Sequence, residues 1–299
     1  MFSFAVDARS GRARAGTLVT PHGVVPFRRV PDETTFSNER DYAFDAYLRP
    51  GSPLFASVVL GYNLTDDYYV DAAPTAWQGR ELYVPDIPIA RLVETPDEIR
   101  AAAQAFVSSN GVLNPASGFV SGYDFFTDGG QEMADSLATK LPTTTLINDT
   151  WTADELRCLG FGIPVSGLSG CAAPSISGVN AHFAHYGALS AQGFDTLSLD
   201  DFMTSSDLAG AAIQGSLFFS MGCHAGFNAP DRDSEAADPG LGIDPALDFA
   251  QAMAIQRALF VASTGFGLGD TVGLGGTEKL LANFAGELMP GDVAAGAAL

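Results

Sequence analysis

Basic residues are scarce in this chain of 299 residues, which has 15 lysines and arginines against 35 acidic side chains and a formal net charge of −20. Nucleic acids and anionic membranes bind through basic surfaces, so this balance argues against both as partners. No apolar stretch reaches the roughly 18 residues that a membrane-spanning helix needs, so no membrane span is expected. The sequence also shows no n-region and h-region of a signal peptide.

Cysteine is equally rare, with three in the chain. Cys158 and Cys171 flank a loop rich in glycine, serine and proline, and they would form a small disulfide in an exported protein. Two unrelated thiols are an equally good interpretation of this pair. Cys223 is left over and is therefore the cysteine to examine for chemistry.

Hydrophobic residues make up 46% of the chain, enough for one large core or two small ones. Predicted strands alternate with predicted helices, which is typical of an α/β fold with a mostly parallel sheet. After a strand-and-turn segment over 1–24, strands are predicted at 54–60, 118–126, 143–147, 176–187, 258–262 and along the apolar run that begins at 217. Helices are predicted at 129–140, 152–159, 244–256 and 277–289.

The clearest helix start lies at Thr95, which is predicted to be an N-cap. Pro96 follows at the first helical position, and Glu98 completes a capping box. The helix is expected to end near Asn110 and Gly111. Its predicted apolar face consists of Ile99, Ala102, Ala103 and Phe106.

Two apolar runs end on side chains that could react. Residues 217–226 present Cys223, and residues 176–187 carry His182 and His185. Buried strands of a parallel sheet deliver such residues to its carboxyl edge, where open α/β folds place their sites. A thiol and an imidazole at this edge would form a nucleophile and its base.

Cys223 would attack as a thiolate, a form that a nearby imidazolium or helix N-terminus favours. His185 is the preferred general acid, because it lies nearer the strand end and Gly187; His182 is the rival. The structural alternatives are a buried cysteine and a hydrogen-bonded histidine at a strand end. His224 is a poor base for Cys223, because neighbours on an extended chain point apart.

A third group could orient the imidazole, and Asp124, Asp128 and Asn180 are unranked candidates. Turn or helix-cap roles explain the two aspartates more simply. Asp270, in a glycine-rich loop, would shape a substrate pocket or form a turn.

Four segments together carry a family resemblance. They are residues 26–32 with 37–42, the Asp-Ile-Pro-Ile-Ala-Arg-Leu segment 86–92 with Thr-Pro-Asp-Glu-Ile at 95–99, the run 219–226, and Ala-Ser-Thr-Gly-Phe-Gly-Leu-Gly-Asp at 262–270. From about Val25 onward, the chain resembles the gingipain-type cysteine peptidases of clan CD. The resemblance implies a caspase-like three-layer sandwich, with a mostly parallel central sheet flanked by helices.

The resemblance also implies a function. Cys223 would be the nucleophile of a cysteine endopeptidase, and the histidine of a histidine-glycine pair on the preceding strand would act with it. Backbone N–H groups at Gly187 and Gly222 would form the oxyanion hole. The same resemblance implies protein or peptide substrates, no required cofactor, and a secreted or cell-envelope location.

The chain departs from the family pattern at the histidine. The family places histidine directly before glycine, whereas Tyr186 separates His185 from Gly187. The literal pair, His22 and Gly23, lies elsewhere in the chain. Ala90 also stands where glycine is usual.

The expected organisation is one principal peptidase domain over residues 25–299, consistent with truncation at both ends. Residues 1–24 form a separate N-terminal segment that resembles the start of tRNA-guanine transglycosylases. We attribute this second resemblance to chance or to a gene-model junction, because that family's catalytic aspartates and zinc-binding cysteines have no counterpart in residues 25–299.

Three other interpretations remain open. A catalytically inactive caspase-like module would use the same fold for binding or assembly. A zinc hydrolase would use His182 and His185 with Cys223 or His224. A structural calcium site could involve Asp66, Asp67 and Asp71, although a solvated acidic loop explains these residues more simply.

Overall fold

The computed structural model describes residues 3–10, 13–20, 23–28, 47–59, 66, 69–77, 79–196, 201–270, 273–291 and 293–298. The chain divides into two compact units where one principal domain was expected. One unit comprises Met1–Asp45 and Pro53–Arg91, and the other comprises Ala46–Ser52 and Leu92–Leu299.

The first unit contains two antiparallel sheets and a short helix. Strands β1 (Ser3–Ser10), β2 (Ala13–Thr20) and β3 (Gly23–Arg28) form a meander. Helix α1 (Pro53–Val59) and the hairpin of β4 (Thr75–Trp77) with β5 (Arg80–Leu82) are the other elements among the described residues of this unit. The described strands confirm the strand-and-turn prediction for residues 1–24, and the boundary expected after residue 24 falls inside β3.

The strand predicted at residues 54–60 is wrong, because Pro53–Val59 is helical. A short apolar run fits a strand or a buried helix equally well, so periodicity alone does not decide between them. The missed signal was Pro53, which occupies the first helical position that proline favours. Leu60 lies outside the described residues.

The second unit is built on a five-stranded sheet. In chain order its elements are α2 (Pro96–Ser108), β6 (Gly118–Gly122), α3 (Thr127–Ala138), β7 (Thr143–Ile147), α4 (Ala153–Glu155, continued by a π-turn over Leu156–Gly160), β8 (Ile176–Gly178), β9 (His182–Ala184), β10 (Gly187–Leu189), α5 (Ala191–Thr196), β11 (Phe202–Thr204), β12 (Leu217–Ser220), α6 (Phe249–Ile255), β13 (Leu259–Ala262), α7 (Gly276–Leu288) and α8 (Ala295–Ala298). The sheet order is β13-β12-β8-β6-β7, and every pair is parallel. This order confirms the predicted α/β class with a mostly parallel central sheet.

Helices cover both faces of this sheet. Neighbouring residues on a strand face opposite sides, so Phe218 packs with Phe249 of α6 while Phe219 packs with Phe284 of α7. Helix α3 joins α7 on the second face through Met133. The result is a helix–sheet–helix sandwich with a core on each side of the sheet.

Several predicted elements are confirmed. The strand at 143–147 is found as predicted, and the helices at 129–140, 152–159 and 277–289 lie within a few residues of their predicted limits. Thr95 caps α2 in a complete capping box with Glu98. The expected apolar face of α2 is wrong in part, because Phe106 is 63% exposed and Ala103 is also exposed.

Three other expectations need correction. The run 176–187 is not one strand: β8 ends at Gly178, and β9 and β10 form a hairpin that joins β11 in a separate antiparallel sheet. The helix expected to begin at Asp244 begins at Phe249, where the Asp248 carboxylate accepts from the Gln251 N–H. Strand β13 is an edge strand, with Leu259 45% exposed, where a buried strand was expected.

The two cysteines whose pairing the sequence left open are joined. Cys158 and Cys171 form a disulfide that closes the loop after α4. Among the described residues, no helix is long and apolar enough to cross a bilayer.

Candidate active site

Three neighbouring strands bring the candidate residues to one edge of the central sheet. Because β6, β8 and β12 are adjacent and parallel, their carboxyl ends share an edge. Asp124 follows β6, His182 follows β8, and Cys223 follows β12. The chain reverses its order across the sheet between β6 and β8, the place where folds of this kind bind ligands.

Cys223 lies at the start of a tight turn after β12. The turn is anchored to its surroundings through backbone groups: Met221 N–H donates to Asn180 Oδ1 (3.3 Å), and His224 N–H donates to Gly265 O (2.7 Å). The Cys223 sulfur is 3.8 Å from Gly267 O. The residue is partly exposed and takes no part in a disulfide.

Glycines allow close packing on both sides of this turn. A Cβ atom at Gly222 would lie 2.3 Å from the Phe183 ring, and one at Gly267 would lie 1.6 Å from Met221 O. Both distances are far below a van der Waals contact. The position of Cys223 therefore depends on the absence of side chains at these two glycines.

His182 is the first residue of β9, and Asp124 and aromatic rings hold its imidazole. Its Nε2 atom is 3.2 Å from Asp124 Oδ2. The ring stacks on Phe194 with centroids 4.5 Å apart, and meets Tyr123 and Phe126 edge-on. Burial lowers the pKa of His182, while the neighbouring carboxylate favours the protonated form and opposes this effect.

Asp124 itself is held in an unusual backbone conformation. Its φ of 52° lies in the left-handed region, which aspartate tolerates better than most residues. Its N–H donates to Asp149 Oδ1 (3.1 Å), and its carbonyl accepts from Thr127 Oγ1 (2.9 Å). These partners fix the carboxylate beside His182.

The structure does not place His185 at the carboxyl end of a central strand, as the sequence had predicted. His185 and Tyr186 form the two-residue turn between β9 and β10. The His185 side chain is fully buried against Tyr186 and Phe227, and neither ring nitrogen has a hydrogen-bond partner among the described residues. Burial, together with nearby His224, lowers the pKa of His185 to about 3.

His224 lies in the turn that follows β12 and not on an extended chain, and its side chain has partners of its own. It adopts a left-handed φ of 56°, and its Nδ1 lies 3.0 Å from Thr264 O. The ring also contacts Phe227 and Phe266. Its contacts support the loop that follows β13.

The two glycines expected at the oxyanion hole have other partners. Gly187 begins the middle strand of the small sheet and is paired with Ala184 and Thr204. The Gly222 N–H donates to Ser220 Oγ (3.0 Å). A substrate oxygen at Gly222 would have to displace that hydroxyl.

The other candidate third groups are engaged elsewhere. Asp128 accepts from the Gly129 N–H within α3. Asp270, which was considered for a substrate pocket or a turn, donates its N–H to Glu278 Oε2 (2.9 Å), part of the N-terminal cap of α7. Asn180 is fully buried, and its side chain bonds to Ser121 O and to the Met221 N–H.

Within the described parts of the chain, no group of three or more His, Cys, Asp or Glu side chains is placed to hold a metal ion. Of the three acidic residues considered for calcium, Asp66 pairs with Arg91, and Asp71 accepts from the N–H groups of Ala73 and Val84. Asp67 lies outside the described residues.

Sequence reasoning missed Phe194, which stacks on His182 from helix α5. Nothing in the local pattern around Phe194 marks it, because the contact arises only when α5 folds back over β9.

Comparisons with protein-family models, curated proteins and solved structures give no match for this chain.

Proposed function

We propose that this chain is a cysteine endopeptidase in which Cys223 is the nucleophile and His182, oriented by Asp124, is the acid and base. The observation that carries this proposal is the contact of His182 with Asp124 at the carboxyl edge of adjacent parallel strands, the edge where the chain after β12 also carries Cys223. A nucleophile, a base and a group that orients the base are the components of covalent acyl transfer.

The assignment of the base differs from the one that the sequence favoured. A general base needs access to the reacting atoms and a pKa near the working pH. His182 is partly exposed and paired with a carboxylate, whereas His185 is buried with a pKa near 3. We therefore assign the role to His182.

The finer description of the fold belongs to the same proposal. The resemblance to gingipain-type peptidases implies a caspase-like sandwich with the nucleophile after a central strand. Support comes from the parallel sheet covered by helices on both faces and from the position of Cys223 directly after β12. In place of the family's glycine after the histidine, Phe183 follows His182 and packs against Gly222.

The chemistry proceeds in two stages. In the first, His182 accepts the Cys223 proton, and the thiolate sulfur bonds to the carbonyl carbon of the scissile peptide. The tetrahedral intermediate collapses, the C–N bond breaks, and imidazolium gives its proton to the leaving amine. A thioester on Cys223 remains.

In the second stage, water replaces the amine. His182 accepts a proton from the attacking water as the oxygen bonds to the thioester carbon. The C–S bond then breaks, imidazolium returns its proton to the departing sulfur, and a carboxylic acid leaves while Cys223 is again a thiol. Asp124 accepts from Nε2–H throughout, so the ring is held in one tautomer, with Nδ1 as the exchanging nitrogen.

A secreted or cell-envelope location is part of the proposal. Its support is the Cys158–Cys171 disulfide, because structural disulfides form and persist in oxidising compartments.

The first experiment is labelling of Cys223 with iodoacetamide at pH 6, followed by peptide mapping. Wild type is compared with His182→Ala, and His185→Ala serves as the matched control from the same hairpin. An activated pair labels Cys223 much faster than an ordinary thiol, and only His182→Ala slows it. Equal, slow labelling of all three proteins would mean that Cys223 is not activated.

Peptidase activity is then measured on a library of unfolded protein substrates with wild type and Cys223→Ala. The proposal expects cleavage that Cys223→Ala abolishes. Cleavage that persists in this variant would overturn the role of Cys223, and a reactive Cys223 without any cleavage would favour the inactive binding module.

A further inference from the structure

A buried asparagine joins three strand ends directly beneath the candidate site. Asn180 is fully buried and follows β8 by two residues. Its Nδ2 donates to Ser121 O of β6 (3.0 Å), and its Oδ1 accepts from the Met221 N–H after β12 (3.3 Å). One side chain therefore connects all three strands that carry the site.

Backbone contacts strengthen the connection to β6. Asn180 N–H donates to Ser121 Oγ (3.0 Å), and that hydroxyl donates to Asn180 O (3.3 Å). The pairing of Asn180 with Ser121 thus uses both side chains and both backbones. All of these groups are buried, so leaving any one without its partner would be costly.

The bonds made by Asn180 lie where the strands diverge. The ladder between β8 and β12 ends at the Gly178–Phe219 pair, and the Val179 N–H then donates to Phe219 O (2.9 Å). Beyond that point, Asn180 Oδ1 holds Met221. His182 lies two residues after Asn180, and Cys223 lies two residues after Met221, so this bond links the two reactive segments immediately before their side chains.

We propose that Asn180 is a positioning residue that sets the placement of His182 relative to Cys223. Its catalytic consequence rests on the proposed peptidase function, while its structural consequence is measurable without activity. Alanine at this position would remove the bond to Met221 and leave Ser121 O and the Met221 N–H without that partner. The two segments would then move independently at the sheet edge.

Ser216→Ala is a matched control. Ser216 is also buried, precedes the same strand β12, and donates through Oγ to Pro174 O (2.9 Å), just before β8. Its bond joins the same two neighbouring strands at the opposite, amino edge of the sheet. Asn180→Ala removes the buried side-chain hydrogen bonds to Ser121 O and the Met221 N–H, and Ser216→Ala removes the one to Pro174 O, so both variants are expected to lower the melting temperature.

Hydrogen exchange of the full chain tests the structural part. Asn180→Ala is expected to speed amide exchange at least tenfold in residues 221–223 and 181–183, with β12 itself still protected, whereas Ser216→Ala leaves both segments at the wild-type rate. Wild-type exchange of these segments in Asn180→Ala would overturn the inference, whether or not the protein is active.

If Asn180→Ala does not fold, Asn180→Asp replaces it. The aspartate keeps the acceptor for Met221 and donates to Ser121 O only when protonated, so protection should return as pH falls, and protection independent of pH would contradict the inference.

Kinetics test the catalytic part. Because an error of about 1 Å in placement can cost about 100-fold in rate, Asn180→Ala should lower kcat by that order while KM changes less than about twofold. Ser216→Ala should keep the wild-type kcat. An active wild type with an equally active Asn180→Ala would refute the inference and leave the peptidase proposal standing. A wild type without a reactive Cys223 would refute the peptidase proposal, and hydrogen exchange would still decide the structural role of Asn180.

Discussion

His182 Nε2 lies 3.2 Å from Asp124 Oδ2, although 58 residues separate them in the chain. The contact exists because β6 and β8 are neighbours and parallel, so the residues that follow them meet at one edge. A carboxylate here holds the imidazole in the tautomer whose lone pair is on Nδ1. It also favours imidazolium and so opposes the effect of burial on the His182 pKa.

Asp124→Asn is expected to lower both the activity and the His182 pKa. The loss in kcat should be smaller than the ~10⁴-fold that removal of a buried triad aspartate can cost, because this carboxylate is partly exposed. Since the charge of Asp124 raises the His182 pKa, its removal moves the acid limb of the rate profile to lower pH. Peptide cleavage would measure the loss in kcat, and rates of Cys223 alkylation from pH 4 to 9 would measure the shift in pKa. An acid limb of the alkylation profile that does not move would contradict the pairing.

Much of the fold could be predicted because its signals are local. The capping box at Thr95 and Glu98 needs only four consecutive residues, and α2 begins where it was expected. The apolar run that ends before Cys223 needs only its own pattern to indicate a buried strand, and β12 is buried along its whole length.

Which of the two histidines lies at the sheet edge could not be predicted in this way. His182 and His185 lie three residues apart in one apolar run, and the sequence does not show that Gly178 ends β8 and that a hairpin follows. The hairpin turns His185 into the core and leaves His182 at the edge. Only the pairing of β9 with β10, and of β6 with β8, decides between them.

His185→Phe is expected to make the folded state less sensitive to acid. Burial lowers the folded-state pKa of His185 to about 3, below the unfolded value near 6.5. The unfolded chain therefore binds one more proton between these values, and wild-type stability falls as pH decreases through that window. The slope is about 1.4 kcal/mol per pH unit for one proton, and His185→Phe should remove it.

The comparison must use the difference in slope between the two proteins, measured by urea unfolding from pH 7.5 to 4. Asp248 contributes in the opposite direction, because burial raises its pKa to about 7 and the folded state then holds the extra proton. That contribution weakens the folded state as pH rises, and it is present in both proteins. Identical slopes for wild type and His185→Phe would contradict the assignment of a buried, neutral imidazole.

Replacing Cys158 and Cys171 together by alanine should destabilise the chain by about 3 kcal/mol, the size expected when a short closed loop loses its cross-link. Urea unfolding with and without dithiothreitol measures the loss. Reductant should lower the stability of the wild type and leave the double variant unchanged. A wild type that unfolds at the same urea concentration in both conditions would show that the disulfide is absent in solution.

Gly267→Ala is expected to slow the reaction of Cys223. The new methyl group would lie 1.6 Å from Met221 O, so either the loop after β13 or the turn that carries Cys223 must move. Overpacking of this kind typically costs about 1–3 kcal/mol of stability, and the displaced thiol should react with iodoacetamide at least tenfold more slowly at pH 6. Gly273→Ala is the matched control from the same glycine-rich loop, because its methyl group would meet nothing within 4 Å. Wild-type labelling by Gly267→Ala would mean that the close packing of Gly267 against Met221 does not determine where Cys223 lies.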